Sequence, residues 1–327
     1  MKLFAYSLRP YDELKYLNHM SQEMGFEFGW TDQYPTDENL ELARGFDAVS
    51  IITNPMGKER LCRLHDMGVR WLATRSIGSE HIDVTSAHAL GMRVAHAVYD
   101  PEGVANYSIM LMMMAARKIK LIDRLQQAQD FDLEGKIGLD ISSAIVGVVG
   151  TGRIGATVCR HLKGFGCTLL ASDPYHREDL AQVVEYVDLP KLFSRADIIT
   201  LHAPGTKENF HLLDEAAFAQ MKHGVIVVNA ARGSLIDTQA LIGALESGQV
   251  GEAALDTIEG ESGLYYHDLS RSCIAHRERA ILEAFPQVIL TPHMAFYTED
   301  DVRQMVESST SALLAFSQEN DAPNEVL

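Results

Sequence analysis

Cysteine is scarce in this sequence, and its few cysteines are poorly placed for a shared structural role. The four residues, Cys62, Cys159, Cys167 and Cys273, form no CxxC pair and no Cys/His spacing typical of a zinc site. This argues against a disulfide scaffold and favours reduced thiols, as in the cytoplasm. The opening residues, MKLFAYSLRPYDEL, have one short apolar run followed by charges, unlike a signal peptide. We therefore expect a cytoplasmic protein.

Basic residues and long apolar runs are also lacking. The chain has 28 Lys and Arg against 45 Asp and Glu, which gives a formal net charge of −17. Such a surface repels nucleic-acid phosphates and anionic membranes. The longest apolar stretch, SIMLMMMAA, is far too short to cross a bilayer. We expect a soluble protein without nucleic-acid or membrane partners, in which any anionic substrate binds at a locally positive site.

The apolar residues that are present, 46% of 327, are enough for a large core, and the length favours two domains. Strand-like runs alternate with helix-like runs, as in α/β proteins with parallel sheets. We predict an α/β fold of two Rossmann-like or flavodoxin-like parallel-sheet domains with a cleft between them. The predicted strands are LFAYSL, FDAVSIIT, RWLATRSIG, MRVAHAV, AIVGVVG, CTLLASD, DIITLHA, GVIVVNAA, GEAALDT and QVILTPH.

Two long helices are predicted outside this alternation. Residues 101–120 are expected to form one helix with Pro101 in its first turn. The methionines clustered at residues 110–114 are expected to pack in the core or at a subunit interface. Residues 300–320 are expected to form an amphipathic helix, and residues 321–327 to be loose.

A glycine-rich turn joins the strand AIVGVVG to a helix. Gly150, Gly152 and Gly155 form a GxGxxG motif in the strand–turn–helix context of dinucleotide-binding proteins. The first glycine permits the turn, the second lets a pyrophosphate approach the backbone, and the third lets the helix pack on the strand. Asp173, roughly 20 residues later, can accept hydrogen bonds from ribose hydroxyls and repel a 2′-phosphate. The pattern predicts NAD rather than NADP, a preference that the nearby Arg177 could weaken.

Three chemically useful side chains follow later strands. Arg232 comes directly after GVIVVNA, Glu261 lies just beyond GEAALDT, and His293 ends QVILTPH. Ligands of open α/β sheets bind at the carboxyl ends of the strands, where all three are expected. A guanidinium can hold a carboxylate, a histidine can give or take a proton, and an adjacent carboxylate favours the protonated ring. The set suits reduction of a 2-oxo acid with a nicotinamide cofactor.

The remaining histidines indicate no metal site. They show neither an HExxH motif nor paired metal spacing, so we predict no metal. His202 lies just inside a strand end, near the expected cofactor. We interpret it as a structural residue that orders its loop.

The segments VGVVGTGRIG, VVNAARGSLIDTQAL, GEAALDTIEGES and VILTPHMAFYT resemble the D-isomer-specific 2-hydroxyacid dehydrogenases. The resemblance covers essentially the whole chain and is strongest to the D-lactate dehydrogenase branch, which includes the vancomycin-resistance enzymes. It implies an NAD-dependent homodimer that reduces pyruvate to D-lactate. With the two α/β blocks, it predicts a discontinuous catalytic domain of residues 1–98 and 297–327 and an NAD-binding domain of residues 99–296. Closure of the intervening cleft is expected at hinges near residues 98–101 and 293–298.

The resemblance also implies roles for individual residues. The catalytic set would be Arg232, Glu261 and His293. The backbone amides around Ile77 and Gly78 would bind the substrate carboxylate, and the pocket wall would come from Tyr99 and Phe296. Besides the three glycines and Asp173, the implied cofactor contacts are Arg153, Ile154, Ala203, Pro204, Asn209, Ala230 and Asp256.

Departures from the family pattern leave alternatives open. Many relatives carry Thr after the catalytic histidine, whereas this chain has Met294, so the preferred substrate side chain is undecided. A bulkier 2-oxo acid, such as 2-oxoisocaproate or phenylpyruvate, is one alternative. Related formate dehydrogenases carry Gln where this chain has Glu261, which disfavours that activity. A non-catalytic NAD(H)-sensing regulator is the alternative from another class, because transcriptional corepressors share the fold.

Overall fold

The computed structural model describes residues 1–327, which divide into two compact units. The first unit comprises Met1–Asp100 and Tyr297–Leu327, and the second comprises Pro101–Phe296. Each unit is built around one parallel sheet with helices between its strands. This confirms the predicted α/β fold class. None of the helices has the length and apolar character that crossing a membrane requires.

The first unit contains a five-stranded sheet in the order β2-β1-β3-β4-β5. All neighbouring strands are parallel. An α-helix connects each pair of successive strands except β2 and β3, which are joined by a segment with a 3-10 turn at Leu40–Ala43. The C-terminal helix α11 returns to the same unit. The elements are β1 (Lys2–Ala5), α1 (Leu14–Met24), β2 (Glu27–Trp30), β3 (Ala48–Ile51), α2 (Lys58–Asp66), β4 (Trp71–Thr74), α3 (Val84–Ala89), β5 (Arg93–Ala95) and α11 (Glu299–Ser317).

Both faces of this sheet are covered, so its central strands are apolar at consecutive positions. Leu3 and Phe4 are neighbours in β1 and point to opposite faces, because strand side chains alternate. Leu3 packs in a cluster that includes Leu313 of α11. Phe4 packs in another cluster that includes Leu61 of α2. Double burial explains the uninterrupted hydrophobic runs from which these strands were predicted.

The final residues of the chain are held against the edge of this sheet, so the expectation that residues 321–327 are loose is wrong. The N–H of Val326 donates to the carbonyl of Val94 at 2.8 Å. Glu325 forms an ion pair with Arg93, 232 residues away in the sequence. These partners come from a strand that is distant in the sequence, so the segment itself does not reveal them.

The second unit contains a seven-stranded parallel sheet in the order β12-β11-β10-β9-β6-β7-β8. The chain starts at β6, runs outward to β8, and then crosses to β9 on the other side of β6. Its elements are α4 (Glu102–Ala116), α5 (Ile119–Gln127), β6 (Ile145–Val149), α6 (Arg153–Lys163), β7 (Thr168–Ser172), β8 (Glu185–Tyr186), α7 (Leu189–Arg195), β9 (Ile198–Leu201), α8 (Glu215–Gln220), β10 (Val225–Asn229), α9 (Thr238–Glu246), β11 (Val250–Leu255), α10 (Arg277–Ala284) and β12 (Val288–Leu290). Short 3-10 turns lie at Leu40–Ala43, Ile141–Ser143, Glu178–Leu180 and Gly233–Leu235.

The predicted single helix over residues 101–120 is instead two helices. α4 ends at Ala116, and Lys118 adopts a left-handed conformation with φ of 52° before α5 begins. A left-handed residue cannot continue a right-handed helix, so the chain changes direction there. Within α4, Met112 is fully buried, whereas Met110 and Met113 are about 40% exposed.

Two strands were missing from the prediction, and both lie at sheet edges. β2 has four residues, none of them fully buried, and β8 has only two. An edge strand contacts one neighbouring strand and has little buried surface, so it lacks a strong hydrophobic pattern. Local sequence patterns therefore identified the central strands and the more buried edge strands β5 and β12, and missed the two weakly buried edge strands.

Glu252 of β11 is buried, with 8% of its surface exposed, and this gives a pH-dependent stability prediction. Burial raises the pKa of its carboxyl to about 7 from an ordinary value of 4.5, and Lys118 acts in the opposite direction. The folded protein then keeps a proton that the unfolded chain releases, so stability falls as the pH rises from about 4.5 to about 7. The difference between the two pKa values corresponds to about 3 kcal/mol.

We expect Glu252→Gln to raise the free energy of unfolding by up to about 3 kcal/mol at pH 8 and to change it little at pH 4. Urea unfolding at both pH values measures the difference, with the exposed Glu246→Gln as the matched control. Equal stabilisation at both pH values would contradict the assignment, because a gain unrelated to ionisation does not depend on pH.

Candidate active site

The predicted site residues of the second unit lie after strands of one parallel sheet. Since all strands run in the same direction, their carboxyl ends lie at one edge of that sheet. The chain reverses its outward course between β6 and β9, and crevices at such switch points are where α/β sheets bind ligands. The residues that follow the strands are Gly150 after β6, Asp173 after β7, Ala203 after β9, Arg232 after β10, Asp256 after β11 and His293 after β12.

The three glycines of the turn after β6 meet different steric demands. Gly150 has φ of 89°, and a Cβ there would lie 2.7 Å from the backbone of His202. A Cβ on Gly155 would lie 2.0 Å from the carbonyl oxygen of Gly150. A Cβ on Gly152 would meet nothing within 4 Å, and Gly152 immediately precedes α6. The turn therefore leaves open space beside a helix N-terminus, which fits the pyrophosphate of a dinucleotide.

Asp173 holds the same turn in place. One carboxylate oxygen accepts the N–H of Thr151 at 2.6 Å, and the other accepts the N–H of Tyr175 at 2.8 Å. Each oxygen has a second lone pair with which it can accept a ribose hydroxyl. Arg177 is engaged by Asp179 at 2.9 Å, so its charge is already paired. These residues suit an adenosine ribose without a 2′-phosphate.

The loop after β9 carries three predicted cofactor contacts. The side-chain amide of Asn209 donates to the carbonyl of Pro204 at 3.0 Å, which fixes the course of the loop beyond Ala203. His202 precedes this loop, and burial lowers the pKa of its ring to about 4. Its Nε2 lies 3.0 Å from the hydroxyl of Thr200. The ring is therefore neutral at physiological pH, in agreement with a structural part for His202 in its loop.

Glu261 and His293 form the most direct polar contact of the candidate site. Oε1 of Glu261 lies 2.6 Å from Nδ1 of His293, and its Oε2 accepts the N–H of Ile258 at 3.0 Å. A carboxylate only accepts, so Nδ1 carries a hydrogen and Nε2 is the nitrogen that can exchange a proton with a ligand.

Asp256 holds the loop that carries His293. The carboxylate of Asp256 has no exposed surface and accepts the hydroxyl of Thr291 at 2.6 Å and the N–H groups of Met294 and Ala295 at 2.8 and 2.9 Å. His293 itself has φ of 53°, a conformation that costs a non-glycine residue free energy. These hydrogen bonds maintain that conformation. They assign Asp256 to loop positioning, and its predicted cofactor contact stays a prediction.

Two aromatic residues surround the ring of His293. The ring of Phe296 lies edge-on to the ring of His293, with a distance of 6.4 Å between the two ring centroids. Tyr266 lies 6.2 Å away by the same measure, and its hydroxyl donates to the carbonyl of His293 at 2.8 Å. Phe296 was predicted, whereas Tyr266 was missed. The long segment between β11 and the following helix has no periodic pattern that could have singled it out.

Arg232 lies in a turn shaped by the side chain of Asn229. The amide oxygen of Asn229 accepts the N–H of Ala231 at 3.0 Å, and its nitrogen donates to the carbonyl of Arg232 at 2.9 Å. The guanidinium is half-buried and donates to the carbonyl of Ala231 at 2.8 Å. Ala230, a predicted cofactor contact, lies in the same turn and is largely buried. The turn thus presents a cation that fits a carboxylate ligand.

The predicted substrate residues Ile77, Gly78 and Tyr99 belong to the first unit. Ile77 and Gly78 follow β4, and the carbonyl of Gly78 accepts the hydroxyl of Ser76 at 2.7 Å. Tyr99 is largely buried after β5. Arg153 and Ile154 open α6 directly after the glycine turn. Their individual contacts with substrate and cofactor stay predictions.

Comparison with known proteins agrees with this geometry. A sequence model described as "D-isomer specific 2-hydroxyacid dehydrogenase, NAD binding domain" matches residues 109–295. A D-lactate dehydrogenase of Escherichia coli (strain K12) is 39% identical over 330 residues, covering 100% of both chains. An aromatic 2-oxoacid reductase of Clostridium sporogenes is 36% identical and covers 99% of both chains. A solved structure of D-2-hydroxyisocaproate dehydrogenase has a TM-score of 0.89 at 33% identity, covering 100% of this chain and 99% of that one.

The matched family segment includes the glycine turn, Asp173 and the Arg232, Glu261 and His293 set. The similarity to whole dehydrogenases covers both units of this chain. The chain therefore belongs to the D-isomer-specific 2-hydroxyacid dehydrogenases, a family of NAD-dependent oxidoreductases.

Proposed function

We propose that this chain is a cytoplasmic D-lactate dehydrogenase that reduces pyruvate to D-lactate with NADH. The observation that carries the proposal is the 2.6 Å contact between Glu261 and Nδ1 of His293. Glu261 follows β11, which is the neighbour of β10, the strand that leads to Arg232. This arrangement supplies a proton donor with a stabilised charge and a cation for a carboxylate. The similarity to the E. coli enzyme named D-lactate dehydrogenase supports pyruvate as the substrate.

Each residue of the set has one task in the proposed reaction. The glycine turn and Asp173 would hold NADH, which when bound would supply the hydride that the keto carbon of the substrate gains. Arg232 binds the substrate carboxylate and polarises the adjacent carbonyl. Nε2 of His293 donates the proton that the carbonyl oxygen gains, and Glu261 stabilises the charged ring before the transfer. In the oxidative direction the neutral ring accepts that proton from the hydroxyl group.

Substrate contacts outside this set follow from the predicted residues. We assign the backbone amides of Ile77 and Gly78 to the carboxylate, and Tyr99 and Phe296 to the side chain of the acid. Backbone N–H groups bind carboxylates without adding a mobile charge. The aromatic residues supply apolar surface to the methyl group of pyruvate.

A bulkier 2-oxo acid is the second candidate substrate. Relatives named aromatic 2-oxoacid reductase and D-2-hydroxyisocaproate dehydrogenase resemble this chain almost as closely as the D-lactate dehydrogenase does. Met294 follows the proposed acid/base and is 36% exposed. Its flexible side chain can adapt to substrates of different size.

The deciding experiment is NADH oxidation by the purified protein with pyruvate and with 2-oxo acids of increasing side-chain length. Chiral analysis identifies the stereochemistry of the product. Pyruvate is expected to give the highest kcat/KM and D-lactate as the product. A preference for a branched or aromatic acid would retain the mechanism and replace the substrate. NADH binding without turnover of any 2-oxo acid would contradict the enzyme and favour an NAD(H)-sensing regulator.

Asp173 is expected to set the preference for NADH over NADPH. Its negative charge repels a 2′-phosphate, so Asp173→Asn should lower the ratio of kcat/KM for NADH to that for NADPH about tenfold or more. Steady-state kinetics with both cofactors measure this ratio. Asp188→Asn is the matched control. Asp188 follows β8 and caps the N-terminus of α7, and Asn caps a helix equally well. If the ratio of the two kcat/KM values is unchanged in Asp173→Asn, Asp173 does not discriminate between NADH and NADPH.

We further propose that the chain acts as a homodimer. Phe131, Leu133 and Ile137 follow α5 and are 75, 86 and 85% exposed. Met110 and Met113 on α4 add exposed apolar surface. Such surface favours association with another protein surface. Light scattering is expected to give twice the chain mass of 36.2 kDa, and the Leu133→Ser/Ile137→Ser variant is expected to weaken the dimer. A monomer for the unaltered protein would contradict this proposal.

A further inference from the structure

His211 lies where three segments of the candidate site meet. It lies near the end of the loop that begins at Ala203 after β9 and leads to α8. Its N–H donates to the carbonyl of Ser234 at 2.8 Å, in the turn that follows Arg232. Its Nε2 lies 2.7 Å from Oε1 of Glu259, two residues before Glu261. One residue therefore joins the cofactor loop, the arginine turn and the glutamate loop.

The ring of His211 is held between two carboxylates. Besides Glu259 at Nε2, Oδ2 of Asp237 lies 3.5 Å from Nδ1. A doubly protonated ring can donate to both acceptors, whereas a neutral ring can donate to only one. The ring also stacks on Phe210 with a centroid separation of 3.9 Å. His211 has φ of 53°, so these contacts maintain a backbone conformation that is unfavourable for histidine.

Glu259 is fixed at its side chain and at its backbone. Oε2 accepts the N–H and the hydroxyl of Thr238 at 3.1 and 2.8 Å, while Oε1 faces His211. Its carbonyl oxygen lies 2.9 Å from Nε2 of His276. Nδ1 of His276 accepts the N–H of Arg279, so the hydrogen of the His276 ring resides on Nε2 and is donated to Glu259. The loop before Glu261 is thus tied to both flanking helices, α9 and α10.

The arginine turn and the glutamate loop are in direct backbone contact. A Cβ on Gly233, next to Arg232, would lie 2.1 Å from the carbonyl carbon of Ile258 and 2.5 Å from the nitrogen of Glu259. Gly260, with φ of 70°, then turns the chain into Glu261. Since the two backbones touch, displacement of Glu259 also displaces the turn that carries Arg232. The backbone contact therefore couples the turn of Arg232 and the loop of Glu261 to the hydrogen bond between His211 and Glu259.

We propose that His211 and Glu259 are positioning residues that keep Glu261 against His293 and Arg232 in its turn during 2-oxo acid reduction. The inference rests on the reaction proposed above, in which Glu261 stabilises the charged ring of His293. Neither His211 nor Glu259 touches substrate or cofactor in this scheme. Their contribution is geometric, and displacements of about 1 Å at an active site can reduce a rate about 100-fold.

The test compares His211→Ala and Glu259→Gln with the unaltered protein. We expect kcat for the preferred 2-oxo acid to fall roughly 10- to 100-fold, with the dissociation constant of NADH changed less than about threefold. The pH profile of the reduction rate should also change, because a displaced Glu261 no longer accepts the hydrogen of Nδ1 of His293. His211→Gln keeps a donor for Glu259 and should recover most of the rate. His223→Ala, at an exposed histidine of the same unit, is the matched control.

Two further outcomes separate this inference from mere structural support and from the proposed function. A lower melting temperature with unchanged kcat and pH profile per folded site would overturn the positioning role. If His211→Ala does not fold, the isosteric Glu259→Gln and His211→Gln decide the question. If the unaltered protein reduces no 2-oxo acid, NMR titration of the labelled His293 ring remains informative. Identical titrations in the unaltered protein and in Glu259→Gln would then overturn the inference, independently of the failed activity.

Discussion

Replacing His293 by alanine is expected to lower kcat for 2-oxo acid reduction about 10²- to 10⁴-fold, the range that general acid–base catalysis supplies. The basis is the 2.6 Å contact of Nδ1 with Glu261, which leaves Nε2 as the proton donor. The dissociation constant of NADH should change only a few-fold, because the glycine turn that fits the pyrophosphate lies at another strand. Steady-state kinetics with a separate NADH-binding titration measure the two effects.

The Arg232→Ala variant is the informative comparison for His293→Ala. Loss of the Arg232 guanidinium should raise KM for the 2-oxo acid and also lower kcat, because this group binds the substrate carboxylate in both the ground state and the transition state. The pH profile of the reduction rate should change in His293→Ala, because the group that donates the proton is absent. If the His293 variant shows a raised KM with unchanged kcat, its acid/base role is wrong.

Breaking the buried ion pair between Arg75 and Glu13 is expected to cost about 3–5 kcal/mol of unfolding free energy. The side chains are 1 and 0% exposed, and Nε lies 2.9 Å from Oε1. Arg75 also donates to the hydroxyl of Ser50 and to the carbonyls of Tyr6 and Ser7. Glu13→Gln removes the carboxylate and leaves the guanidinium charge buried, which is the source of the cost. Urea unfolding measures the change.

The matched control is the half-buried pair of Arg303 and Glu307 in α11, whose side chains are 39 and 37% exposed, where Glu307→Gln should change stability little. A comparably small effect of Glu13→Gln would indicate that water replaces the carboxylate at Arg75. The pair also bears on function, because Arg75 lies two residues before Ile77. With Arg75 less firmly held, the end of β4 should become more mobile and KM for the 2-oxo acid should rise. Unchanged KM in a folded Glu13→Gln variant would count against the assigned part of Ile77 and Gly78.

Local patterns were sufficient where a residue's task depends on its immediate neighbours in the chain. The turn at Gly150 and Gly155 was recognisable because the steric demands of a strand–turn–helix connection fall within six consecutive residues. Arg232 and His293 were recognisable because each directly follows a strongly hydrophobic strand. Central strands were predicted for the same reason, since burial on both faces produces continuous apolar runs.

Predictions failed where the deciding contact was distant in the sequence. The tail was expected to be loose because the last residues of a chain often are, yet Glu325 pairs with Arg93 across 232 residues. The helix break at Lys118 depends on a left-handed backbone conformation, which a lysine in the sequence does not indicate. β2 and β8 lacked a hydrophobic pattern because edge strands are only partly buried.

The sequence by itself determined the fold class, the glycine turn after β6 and the residue types available at the candidate site. Only the tertiary structure decided how those residues are held. Asp256 fixes the loop of His293 from 38 residues away, and His211 reaches Glu259 across 48. The physical reason is that burial and turn geometry leave periodic local signals, whereas single hydrogen bonds between loops leave none. The residue types of the site therefore indicate its chemistry, whereas its geometry depends on contacts that exist only after folding.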